Sequence, residues 1–158
     1  MTGVQTCALP ISSQAGIPIL RDEAQQLRWG NCVLNVAGVD YQRGSSKDKY
    51  LLGAQRLVYP GEFNVLLSHN PDVFPVAARQ GYNLLLSGHT HGGQVTFEIL
   101  DESINPARFY TPFVRGLYRL RREDTSTAAY VTPGIGTIGI PARIGAPPEI
   151  SLLTLRKA

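Results

Sequence analysis

The residues best equipped for chemistry in this chain are its three histidines, and all of them sit in one kind of place. His69 closes the run Leu66-Leu67-Ser68, while His89 and His91 follow Leu84-Leu85-Leu86-Ser87-Gly88. A short apolar run of this kind reads as a buried strand, so each histidine is expected where a core strand ends. A neutral imidazole offers a lone pair suited to borderline metals such as zinc, iron or manganese. In a nearly extended backbone residues i and i+2 point to one side, which predicts that His89 and His91 converge on a common site. Gly88, Gly92 and Gly93 remove side-chain bulk around them and permit the positive φ that a tight ligand-bearing loop needs. Ligands in open α/β sheets gather at the carboxyl ends of strands, so the pattern is spatially coherent. The competing readings are histidines used only for packing, and a non-enzymatic or mononuclear zinc-binding module built on all three.

The elements that must position them follow from the flanking sequence. Phe63 to Leu67 and Leu84 to Ser87 are expected strands; between them Pro71 opens a helix over Asp72 to Gln80, and Gly81 caps its end, giving a βαβ-like unit. Upstream, Ile17 to Leu20 reads as a short strand. Ala24 to Trp29 and Cys32 to Val39 read as a hairpin about Gly30-Asn31. Ser45 or Ser46 is placed to cap a helix over Lys47 to Val58, whose apolar Tyr50, Leu51, Ala54, Leu57 and Val58 recur at helical spacing before Pro60-Gly61. Downstream, Val95 to Leu100 is an expected strand and Asp101 to Pro112 an irregular loop. Ala128 to Thr132 is another strand, followed by the turn Gly134-Ile135-Gly136 and a final strand from Glu149 to Leu155. Phe113 to Arg122 mixes aromatic residues with Arg115, Arg119, Arg121 and Arg122, a composition that suits either a solvated basic strand edge or contact with anionic lipid head groups.

Three blocks, Leu67-Ser-His-Asn-Pro-Asp72, Leu86-Ser-Gly-His-Thr-His-Gly-Gly-Gln94 and Thr132-Pro-Gly-Ile-Gly-Thr137 through Pro141 to Ile150, occur in that order. Together they resemble the C-terminal half of a bacterial calcineurin-like metallophosphoesterase, in the branch with the Gly-His-Thr-His-Gly-Gly-Gln signature. The resemblance implies an α/β fold, half of a two-sheet sandwich flanked by helices, whose inner face is left apolar and unpaired. It implies two divalent or trivalent metal ions (Mn, Zn or Fe), with His69 and His89 on one and His91 on the other. Asn70, Gly92, Gly93, Gly134 and Arg143 are then candidate substrate-binding residues, with glycine N–H groups able to approach a phosphate. The implied reaction is hydrolysis of a small phosphoester or a phospholipid-like substrate such as UDP-diacylglucosamine, by water activated between two metals. The implied location is cytoplasmic or membrane-associated, with a peripheral membrane contact. The family's Asp-x-His, Gly-Asp and Gly-Asn-His-Asp motifs have no counterpart before His69: Asp22, Asp40 and Asp48 lie in other contexts, and Asn31, followed by Cys32 and Val33, reads as a turn residue. The chain by itself is therefore expected to be inactive.

Composition narrows the alternatives. With 158 residues, 43% hydrophobic and 17% charged, the chain suits one globular domain with a real core. A net charge of +3, from 15 basic against 12 acidic residues, makes no case for nucleic acid. Met1 to Ile11 lacks the basic start and long apolar centre of a signal peptide. It resembles a translated sequencing adapter, so residues 1–12 are set aside as an artefactual leader and 13–158 are taken as the C-terminal part of a phosphoesterase domain. Cys32 then stands alone and supports no disulfide framework.

Overall fold

A computed structural model describes residues 12–42, 50–95, 97–99, 102–104, 106–122 and 125–156. Six strands form one mixed sheet. β1 (Glu23–Trp29) and β2 (Cys32–Gly38) make an antiparallel hairpin in which Trp29 faces Cys32 across Gly30-Asn31. Gly30 takes φ 58°, the left-handed geometry that the tight turn demands. β2 runs parallel to β3 (Phe63–Leu67), which runs parallel to β4 (Leu84–Ser87). A second two-stranded sheet joins β5 (Phe97–Ile99) to β6 (Glu102–Ile104). The order of the main sheet is completed by β7 (Gly116–Arg122) and β8 (Thr125–Val131): β1-β2-β3-β4-β8-β7, with β8 parallel to β4 and β7 as an antiparallel edge. The mixed sheet with few helices fits the α/β class expected for a metallophosphoesterase.

The two faces of the sheet differ. Residues opposite one another across a ladder share a face, so Ala37, Leu66, Leu85, Ala129 and Tyr118 form a row across five strands. This row packs against Val73, Phe74 and Ala77 of the segment that carries α1 (Phe74–Gln80), together with Tyr50, Leu51 and Ala54. Phe74, Phe113 and Tyr118 stack edge to face, with centroids 5.5 and 5.2 Å apart. α1 follows a short 3-10 turn that begins at Pro71, and Gly81 at φ 96° caps it as the sequence implied. At the far end of β3 a buried amide network holds the turn leading into the strand: Asn35 Nδ2 donates to Asn64 Oδ1 (2.7 Å), and Asn64 Nδ2 donates to the carbonyls of Tyr59 and Glu62 (3.0 and 2.8 Å). The opposite face carries Leu27, Val36, Val65, Leu67, Leu84, Leu86 and Leu117 in register. Val65 and Leu84 are buried, but Leu27, Leu67 and Leu117 remain exposed, and a cleft of about 690 Å³ opens there.

Several expected elements are different. Of the helix over Lys47 to Val58, residues 47–49 lie outside the described residues, as do the candidate caps Ser45 and Ser46. From Tyr50 onward the chain forms turns and a 3-10 segment, Ala54–Leu57. Leu51 at φ 55° and Gly53 at φ 77° break any continuous helix, although Tyr50, Leu51 and Ala54 are still buried. Ile17 to Leu20 is not a strand: it lies against the end of β2, where a Cβ on Gly38 would lie 2.6 Å from Leu20 Cβ. Asp101 to Pro112 is not a plain loop, since it contributes β6 and a 3-10 turn at Pro106–Phe109. Glu149 to Leu155 forms no strand: Ile150 and Leu152 point to solvent, and Tyr130 of the open face donates to Glu149 Oε1 instead. Of the leader, residues 1–11 lie outside the described residues, and Ser12 opens a turn by accepting from Ile17 N (2.9 Å). Among the described residues no helix is long and apolar enough to cross a membrane.

Candidate metal centre

The four parallel strands discharge their carboxyl ends at one edge. Beyond the strands the pairing continues for one more step: Val39 N donates to Leu67 O, Ser68 N to Leu86 O and Thr132 N to Ser87 O, at 3.2, 3.1 and 2.9 Å. Leu67 is level with Leu86 on adjacent strands, so His69 and His89 leave the sheet side by side. Ser87 Oγ donates to His69 O (3.0 Å) and fixes the first loop to the second strand. As a result His69 Nε2 and His89 Nδ1 face each other at 3.1 Å, with ring centroids 4.8 Å apart.

The surroundings of both rings lower their affinity for a proton. Burial pushes the His69 imidazole below its ordinary pKa, and the neighbouring His89 and His91 add to the effect. Burial likewise lowers His89, against the opposing pull of the Asp72 carboxylate. Each shift favours the neutral ring, the form whose unprotonated nitrogen can bind a metal. An ion with ~2.1 Å bonds to nitrogen fits between atoms 3.1 Å apart, so the pair suits a shared metal.

His91 goes elsewhere. The backbone is not extended here: His89 takes φ 72°, Thr90 is helical and His91 takes φ 52°, so the same-side rule for strands does not apply. His91 Nδ1 turns to the carbonyl of Gly136, 3.1 Å away. Among the described residues no group of three or more His, Cys, Asp or Glu gathers into a metal-binding cluster.

The other candidates are woven into the loops around this centre. Asn70 is buried; its Oδ1 accepts from Asp72 N (2.9 Å) at the start of the Pro71 turn, and it lines a small cavity with His89, Thr90 and Thr111. Gly92 is buried at φ 64° against Pro133 and Ala146. Gly93 N donates to Thr90 O (2.8 Å) and Gly134 N to Thr132 Oγ1 (3.1 Å), so both N–H groups serve their own turns. Arg143 directs its guanidinium to main-chain carbonyls.

Two residues escaped the sequence reading. Tyr41 lies over the histidine pair, its ring centroid 5.7 Å from His69 and 5.6 Å from His89. Its position just beyond β2, equivalent to those of His69 and His89 beyond their strands, was the available signal. Gln94 clasps the third block: Nε2 donates to the carbonyls of Ile138 and Ile140 (both 2.9 Å), and Oε1 accepts from Ile138 N (2.7 Å). A glutamine closing a glycine-rich loop gives no such sign by itself.

The chain is similar to several proteins named as metallophosphoesterases. The chain is 31% identical to an uncharacterized metallophosphoesterase of Aquifex aeolicus over 94% of its own length and 54% of the relative's. It is 37% identical to the uncharacterized metallophosphoesterase YkuE of Bacillus subtilis, over 60% of its own length and 31% of that protein. A transmembrane protein with metallophosphoesterase domain from Bos taurus is 39% identical over 63% of this chain and 21% of the relative. These similarities support a metallophosphoesterase family. The chain spans from about a fifth to about half of these relatives. No protein-family model and no solved structure matches it.

Proposed function

We propose that the protein bearing this chain is a metal-dependent phosphoester hydrolase with two metal ions, and that residues 13–158 form the C-terminal part of its phosphoesterase domain. The observation that carries the reading is the 3.1 Å approach of two imidazoles, His69 and His89, at the shared edge of adjacent parallel strands. In this reading His69 Nε2 and His89 Nδ1 hold one ion and His91 the other. Bound metal would supply the positive charge that lowers the pKa of a water to near neutrality and neutralises a phosphoryl oxygen. The chain's own residues orient the ligands: Ser87 ties the His69 loop, and Tyr41 walls the pair on one side. The remaining ligands of the family have no counterparts in this sequence, so the chain alone is inactive. A pyrophosphate-linked lipid such as UDP-diacylglucosamine, or a simpler phosphodiester, is the substrate class, with a peripheral membrane contact through the basic edge strand β7. Manganese, zinc and iron all suit the imidazoles.

The test is hydrolysis of both substrates by the full-length protein, with and without chelator. Metal-dependent turnover is expected, and His89→Ala should lower it at least ~10³-fold through loss of electrostatic stabilisation at the phosphoryl group. Turnover that survives both chelation and His89→Ala would sink the reading. Equal rates on both substrates would remove the lipid preference, and turnover by the 158-residue chain at the full-length rate would refute its inactivity.

A further inference from the structure

The strand ends account for His69 and His89, but His91 depends on the last block of the chain. Its Nδ1 lies 3.1 Å from Gly136 O. A carbonyl only accepts, so Nδ1 carries the proton, and Nε2 keeps its lone pair for whatever lies on the other side of the ring. The acceptor is not left to the loop. Arg143 Nε donates to the same Gly136 oxygen at 3.0 Å, and one terminal nitrogen makes a shorter contact with it. That nitrogen also donates to Pro133 O (2.7 Å), just beyond β8. The other terminal nitrogen donates to His91 O (3.1 Å) and Ala146 O (3.2 Å). One guanidinium thus binds the backbone of His91, the acceptor of its ring and the turn after β8.

From this geometry we infer that Arg143 is a positioning residue, which sets the orientation and the Nδ1–H tautomer of His91 so that Nε2 is the ligating atom. Its planar fork reaches four carbonyls at once. A lysine, a single ammonium on a flexible stem, lacks the fork that holds them together. The nearby Gln94 clasp and the pairing of Val95 with Ile144 bring the two loops together, but neither touches the His91 ring acceptor. The consequence for metal binding rests on the proposed role of His91, whereas the tautomer does not.

The experiment is a long-range proton–nitrogen correlation spectrum of the full-length protein labelled with ¹⁵N-histidine, recorded metal-free near pH 8 and again after zinc loading. Wild type should show His91 as the Nδ1–H tautomer. In Arg143→Ala and Arg143→Lys the Nε2–H form, which free imidazole prefers, should rise, while the His69 and His89 signals stay in place. Zinc affinity should fall about 10–100-fold, the range for lost support of a metal ligand, with KM for an aryl phosphodiester unchanged. Arg143→Lys keeps charge and stem and guards against misfolding, which circular dichroism would reveal. An unchanged His91 tautomer in a folded variant overturns the inference. So does a rise in KM with tautomer and zinc affinity intact, which would make Arg143 a substrate contact. If His91→Gln binds zinc like wild type while the tautomer still follows Arg143, the positioning stands and the ligand role of His91 fails.

Discussion

At the scale of single residues, the loop from His89 to His91 is built against local preference. His89 at φ 72° and His91 at φ 52° occupy the left-handed region, where an L side chain crowds its own backbone at roughly 1–2 kcal/mol per residue. Such strain is held by surroundings that leave the chain no alternative, here the Gln94 and Arg143 clasps. A sharp sign follows. His89→Gly and His89→Ala remove the same imidazole, yet the glycine variant should be the more stable by about 1 kcal/mol, the reverse of the usual order in regular structure. Chemical denaturation of the metal-free variants measures the difference, and both should lose metal. The sequence disclosed the identity of these histidines but not their directions. A His-x-His pair converges only in an extended strand, and φ is not written in the residue type.

Elements carry the next set of consequences. Gly92 sits where a Cβ would lie 2.9 Å from Pro133 Cβ, with φ 64° besides. Gly92→Ala should therefore destabilise by ~1–3 kcal/mol through overpacking and displace the His91 turn, seen as a lower melting temperature with weaker metal binding. Tyr82 offers a pH signature. Its buried hydroxyl donates to Ala54 O (2.8 Å), and burial pushes its pKa from about 10 up to about 12. The folded state thus favours the neutral phenol: its contribution is complete below pH 10 and is lost as pH rises from 10 to 12. Tyr82→Phe should lower stability at neutral pH by ~1 kcal/mol, the net value of a hydrogen bond, and flatten the alkaline loss relative to wild type. Denaturation followed at both pH values checks it. The hairpin, the βαβ-like unit and α1 were legible because Gly30-Asn31, Pro71 and Gly81 punctuate them by steric necessity. The segment around Tyr50 was not, because a buried turn and a helix can present the same apolar spacing, and only Leu51 and Gly53 turning left-handed separate them. Glu149 to Leu155 misled for a related reason: alternation shows that a strand is affordable, whereas pairing is a property of neighbours.

Over the whole molecule, the sheet is covered on one side and half-open on the other. Leu27 and Leu67 line the 690 Å³ cleft and Leu117 is exposed on the same face, apolar surface of the kind that promotes association. The 158-residue chain should accordingly bind an apolar dye and self-associate with rising concentration. Leu27→Gln with Leu117→Gln should weaken both, and sedimentation of an unaltered monomer in the parent chain would contradict the expectation. One consequence of the common strand edge reaches further. Because β2, β3, β4 and β8 release their loops at the same rim, the loops bearing His69 and His89 share one supporting edge. The Pro106–Phe109 turn lies outside that sheet, and its Ala107, with Tyr110 and Thr111 just after it, lines the small cavity next to His89. If His69 and His89 hold a metal as proposed, that turn is where a substitution would reshape the cavity while the strand edge still supports both imidazoles.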